Sequence, residues 1–139
     1  MIALLAPVCE SHLKSGLATE KIAGKVAFGC SARHNKLQRD ADVFICATPC
    51  SDSDPAVSWH ATFIGYTPAV DGGVHPDGMK YRPETTRGEK GWQAFWEVTN
   101  LKELPTSECM RIRKFISFRT GKPYQPYVPQ RPYLIQLPA

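Results

Sequence analysis

The segment from Val57 to Tyr66 constrains the fold more than any other part of the chain. Strand side chains alternate, so Val57, Trp59, Ala61, Phe63 and Gly65 share one face and Ser58, His60, Thr62, Ile64 and Tyr66 the other. Apolar groups on both faces predict a central strand with neighbours on each side. Gly65 marks a bend or a place where another backbone comes close.

The remaining apolar runs supply partners for that strand. Residues 2–6 read as a short buried first strand. Residues 25–30 put Val26, Phe28 and Cys30 on one face, and residues 42–48 read as a strand buried on both faces. Further strands are predicted over 92–98, over 111–118 with Ile112, Ile116 and Phe118 on one side, and over 133–137. A helical turn or two is expected over 10–17, with Ser11 as a cap and Gly16 near its end. Residues 31–40 are polar and mildly helical, with Ser31 as N-cap. Residues 49–55 are a turn-rich loop, and 101–104 a connector stopped by Pro105. Residues 67–91 make a connection of about 25 residues, a length typical of functional loops. Residues 122–129, rich in proline and tyrosine, predict an extended arm that either covers a sheet edge or meets a partner. Many short strands and few helices predict a mostly β, α+β fold rolled into a small barrel.

At 139 residues the chain fits one domain with one core, spanning residues 1–139. Five cysteines, Cys9, Cys30, Cys46, Cys50 and Cys109, form an odd, irregularly spaced set that favours a reducing cytoplasmic setting over a disulfide scaffold. The opening run lacks a basic region before it and reads as a strand rather than a signal peptide. No run approaches the roughly 20 apolar residues of a membrane span. The net charge of +4 permits a phosphate-rich partner without demanding one. The densest cations, Arg111, Arg113, Lys114, Arg119 and Lys122, are the candidates for contacting a nucleic-acid backbone.

Enzyme signatures are weak. Cys46, Cys50 and His60 lack the spacing of a zinc site, and nothing places a cysteine beside a histidine as a nucleophile pair. No glycine-rich phosphate loop joins a strand to a helix. No catalytic residue, metal ion or cofactor is assigned. The aromatic supply, including Trp59, Trp92, Trp96, Tyr66 and Tyr81, suits base stacking as well as core filling.

Three stretches carry a resemblance to a known superfamily. Phe28-Gly-Cys-Ser-Ala-Arg-His-Asn35 leads through Leu37 into Asp42-Val-Phe-Ile45; Trp59-His-Ala-Thr-Phe-Ile-Gly-Tyr66 follows; Trp92-Gln-Ala-Phe-Trp-Glu-Val98 precedes Leu101 and Leu104. Their order resembles the PUA-like superfamily, in its EVE and ASCH branches, over most of residues 1–137. The resemblance implies a barrel-side pocket that accepts a base, often modified, from DNA or RNA. By position, Ser31, Arg33, His34, Asn35, Thr48 and Trp59 would form it, with Trp59 as a stacking wall and Arg33 meeting phosphate. A nuclease or other protein partner is compatible with that role.

Two alternatives stay open. Some ASCH-like relatives hydrolyse modified nucleosides or cut RNA, and here Lys14, Thr19, Glu20 and Lys21 would have to converge with Glu97 for proton transfer. The arm from Pro123 to Pro132 would serve an interaction module.

Overall fold

In the computed structural model, which describes residues 1–137, the chain forms a mixed α/β fold dominated by strands. The elements are β1 (Ile2–Cys9), α1 (Glu10–Ala23), β2 (Val26–Cys30), β3 (Asp42–Thr48), β4 (Ala56–Val57), β5 (Trp59–Pro68), β6 (Ala94–Glu103), β7 (Met110–Arg111) and β8 (Tyr133–Gln136). Six strands form one sheet in the order β2-β6-β5-β3-β1-β8, and β4 with β7 forms a small ribbon. Only β1 and β3 run parallel, paired from Leu4↔Val43 to Cys9↔Thr48. Among the described residues β2 and β8 end the sheet unpaired with each other, so hydrogen bonding does not close it into a barrel.

The strand interiors follow from alternation. Leu4, Ala6 and Val8 of β1, with Val43 and Ile45 of β3, join Trp59, Phe63 and Trp96 in the larger core. The intervening Ala3, Leu5 and Cys46 join Val57, Ile112, Phe115 and Ile135 in a second core on the opposite face. α1 contributes Leu13 to the first. The proline-rich arm closes the second, with Tyr124 and Val128 packed on it.

Three local expectations are corrected. α1 runs past Gly16 because that glycine is a packing position: a Cβ there would stand 3.4 Å from Leu101 and Val26. The helix ends instead at Gly24, whose φ of 88° allows its N–H to bond Glu20 O. Residues 111–118 are not a continuous strand; a 3₁₀ turn covers Ile112–Lys114, and Ser117 then bridges Ile135. In β5, the register shift between Phe63 and Gly65 breaks the alternation. Tyr66 therefore lies against Phe63, with ring centroids 5.0 Å apart, rather than on the opposite face.

Irregular chain covers the outer edges of the large sheet. On β2, Ala27 N–H donates to Tyr81 O at 2.7 Å, and Arg82 Nη1 donates to Ala27 O at 2.8 Å. On β8, Phe118 N–H bonds Leu134 O and Gln136 N–H bonds Ile116 O. Each outer edge is thus partly occupied by the protein's own chain.

The connection from Ala69 to Gln93 is ordered around one buried carboxylate. His75 Nε2 lies 2.7 Å from Glu97 Oε2, while Lys25 Nζ and Thr67 Oγ1 bond Oε1 at 3.0 and 2.9 Å. Asp77 N–H donates to His75 Nδ1, which assigns the imidazole proton to Nε2, facing Glu97. Burial raises the Glu97 pKa, but hydrogen bonds from His75, Lys25 and Thr67 outweigh it and hold the carboxyl below its ordinary value.

Replacing His75 by Ala is expected to cost about 1.5–3 kcal/mol in urea unfolding, because it removes one of three hydrogen-bond donors to a buried carboxylate. The depressed Glu97 pKa contributes stability that is full above about pH 4.3, the unfolded value, and is lost as pH falls through the folded one. Acid unfolding followed by circular dichroism should accordingly lose part of its pH dependence in Glu97→Gln.

Candidate functional site

A cleft of about 290 Å³ opens where β1 runs into α1. Its walls come from Pro7, Val8 and Cys9 on one side, and from Phe28, Gly29, Cys30 and Ser31 on the other. β1 and β2 are four places apart in the sheet, roughly 19 Å if it were flat. Their meeting at one cleft requires a strongly curled sheet. The long connection adds Arg82, Thr86, Glu89 and Trp92, and the arm adds Gln130, Arg131 and Pro132.

Trp92 is seated by Gly29. A Cβ on residue 29 would fall 2.3–2.6 Å from the indole Cδ2, Cε2 and Cγ, so the ring lies face-on against bare β2 backbone. The indole N–H donates to Glu89 Oε1 at 3.2 Å. That same oxygen accepts Arg82 Nη2 at 2.9 Å, and His12 Nε2 stands 3.3 Å from Oε2. His12 is held from its other side by Thr85 Oγ1 at 2.7 Å.

Arg82 is 5% exposed and lies over the Phe95 ring. Burial lowers its pKa, and Glu89 opposes that shift. The two form a charge pair in the cleft wall.

The two cysteines of the cleft differ. Burial pushes the Cys30 thiol up to about 11, so it lines the wall as a protonated, apolar group. Cys9 precedes the first turn of α1, and hydrogen bonds with the Ser11 hydroxyl and backbone lower its pKa.

From the cleft mouth the surface continues past Ser31, Ala32, Arg131, Pro132 and His34 to Arg119, and then to Arg33, Asn35, Lys36 and Phe118. No Asp or Glu lines this stretch. Its turn is fixed by His34, whose N–H donates to Tyr66 Oη at 3.2 Å and whose Nε2 lies 3.1 Å from Pro132 O.

Of the residues expected to form a pocket, Ser31 borders the cleft, and Arg33, His34 and Asn35 lie on the surface leading from it. Thr48 ends β3 opposite Cys9, outside the cleft lining. Trp59 is 1% exposed in the larger core; two other tryptophans line the cleft, Trp96 from β6, itself 1% exposed, and the less buried Trp92 against Gly29. Of the expected backbone contacts, Arg119 joins Arg33. Arg111 and Arg113 sit elsewhere, on and beside β7, where Asp54 accepts from both: its carbonyl from Arg111 at 2.6 Å and its carboxylate from Arg113 at 3.1 Å. Lys114 is exposed on its 3₁₀ turn, and Lys122 borders a separate hollow with Tyr124. Sequence reasoning missed His12, Arg82, Glu89 and Arg131; only the length of the 67–91 connection hinted at the middle two.

The residues proposed for proton transfer do not gather. Glu20 binds the backbone N–H groups of Asn100 and Leu101, Thr19 bonds Arg82 O, and Lys14 stands 3.8 Å from Glu10. Glu97 is committed to His75, Lys25 and Thr67. Among the described residues no group of three or more His, Cys, Asp or Glu is placed to hold a metal ion, and no helix is long and apolar enough to cross a membrane. No protein-family model matches the chain, and no curated protein matches it in sequence.

Gly29→Ala is expected to lift the Trp92 ring off β2, since the added methyl has no room. Acrylamide quenching of tryptophan fluorescence should rise, with about 1–3 kcal/mol lost in stability.

Proposed function

We propose that this domain binds nucleic acid by taking one base into the cleft beside Trp92 while the adjoining phosphates follow the cationic surface. The observation that carries this reading is the continuity of the two. The aromatic-walled cleft opens directly onto a stretch bearing Arg131, Arg119, Arg33 and Lys36, and no Asp or Glu lines that stretch. Its volume of about 290 Å³ lies at the small end of ligand sites, which run from roughly 300 Å³ upward. That suits a nucleobase better than a whole nucleotide.

A base inside a duplex cannot reach such a cleft, so the ligand is a single strand or a flipped nucleotide. The flat indole supplies stacking, and the arginines supply charge-assisted contacts to phosphate. The resemblance to EVE and ASCH domains adds a modified base as the preferred occupant. On the same reading the curled sheet corresponds to the PUA-like barrel, and the protein acts in the cytoplasm on DNA or RNA, alone or beside a nuclease.

Fluorescence anisotropy with labelled single strands, in DNA and in RNA, should show binding that weakens with salt. Three or four neutralised phosphates give a slope of log K against log salt of about −2 to −3. Arg131→Glu and Arg33→Glu should each weaken binding and reduce that slope by about one. Binding that ignores salt, or that these variants leave unchanged, would remove the proposal.

A further inference from the structure

We infer that Glu89 makes the cleft select a base bearing an exocyclic amino group over its keto counterpart: cytosine over uracil, and adenine over hypoxanthine. This rests on the base-binding reading above and names the chemistry of the occupant.

A carboxylate is an acceptor only, with about four lone-pair positions. Oε1 of Glu89 already receives Arg82 Nη2 at 2.9 Å and Trp92 Nε1 at 3.2 Å. Among the described residues Oε2 has one polar partner, His12 Nε2 at 3.3 Å, and keeps accepting capacity. The group cannot leave the cleft wall freely, because its partner Arg82 is buried and would lose its counter-charge. Arg82 in turn commits one N–H of Nη1 to Ala27 O and one of Nη2 to Glu89, two of its five donors, which holds the guanidinium against the cleft wall.

An incoming edge beside the indole thus meets a fixed, negatively charged acceptor. An amino N–H satisfies that acceptor, in the way that carboxylates accept from cytosine N4. A carbonyl at the same ring position sets lone pair against lone pair and leaves both desolvated. Phosphate is drawn instead to Arg131 at the cleft and to Arg33 and Arg119 on the surface beyond it, where no acidic side chain lines the stretch.

The test uses single strands of one backbone in which one central base, flanked by abasic residues, is cytosine, uracil, adenine or hypoxanthine. Wild-type protein is expected to bind the amino member of each pair about tenfold more tightly. Glu89→Gln preserves size and leaves an oxygen for Arg82, but its carboxamide donates as well as accepts. It should bring each ratio within about twofold while the salt dependence of binding stays unchanged. Equal wild-type binding within the pairs, or full discrimination retained by a folded Glu89→Gln, overturns the selectivity while leaving base binding intact. No binding to any strand overturns both. Thermal melting checks the fold of the variant, and the wild-type ratios decide the matter where that variant melts early.

Discussion

A carboxylate on a core strand is costly to bury, and Glu97 is tolerated only because three donors converge on it. Two of those donors belong to the sheet's own neighbourhood, Lys25 just before β2 and Thr67 near the end of β5. The third, His75, belongs to the connection between β5 and β6. Satisfying Glu97 therefore requires the connection to fold down on the sheet. Once it does, Tyr81 and Arg82 reach Ala27, and Glu89 and Trp92 arrive beside β1 and β2. Gly73 completes the closure: its φ of 86° and the backbone of Gly91 and Trp92, 2.3–2.4 Å from where a Cβ would stand, leave room for no other residue. One buried ionic cluster thus converts a long, proline-broken connection into one wall of a cleft.

The other walls depend on curvature. β1 and β2 are far apart in sheet order and close at the cleft, while α1 packs against strands from both ends of that order. The two register shifts between β5 and β6, at the middle of the sheet, supply bend where it is needed. The second shift also carries Tyr66 to the Phe63 side, where its hydroxyl accepts from His34. Burial raises the pKa of that phenol. The turn bearing Arg33 and Asn35 is consequently tied to the same irregularity that helps curl the sheet.

The central strands were legible because hydrophobic alternation is a local property. β3 lies where the pattern put it, buried on both faces as expected, whereas the strand read over 57–66 splits: Val57 belongs to β4 and the second core, and β5 begins at Trp59 in the larger one. Alternation fails where a contact distant in sequence takes over. Gly16 reads as a helix end, yet Leu101 and Val26 turn it into a packing site. Ile116 to Phe118 read as strand, yet they touch β8 through isolated bonds. Trp59 and Trp92 look equivalent as residues, and only the seat provided by Gly29 separates core filling from cleft wall. Of the candidate site, the turn from Ser31 to Asn35 was visible from sequence order. The Arg82–Glu89 pair was not, because charged residues in a polar connection carry no periodicity.

The pairing of β1 with β8 sets an order of events during synthesis. A ribosome delivers Ile2–Cys9 early and Tyr133–Gln136 late, yet the two are adjacent strands, paired from Ile2↔Gln136 to Leu5↔Tyr133. Until the late segment emerges, one edge of β1 lacks its ladder, and Ala3 and Leu5 lack the cover of Ile135 and the arm. A nascent chain stalled before that point exposes both an open strand edge and half of an apolar core, the two surfaces that recruit chaperones or nucleate aggregates. The late segment that completes the sheet follows directly on the arm that lends Arg131 to the cleft, so the same stalled chain lacks both.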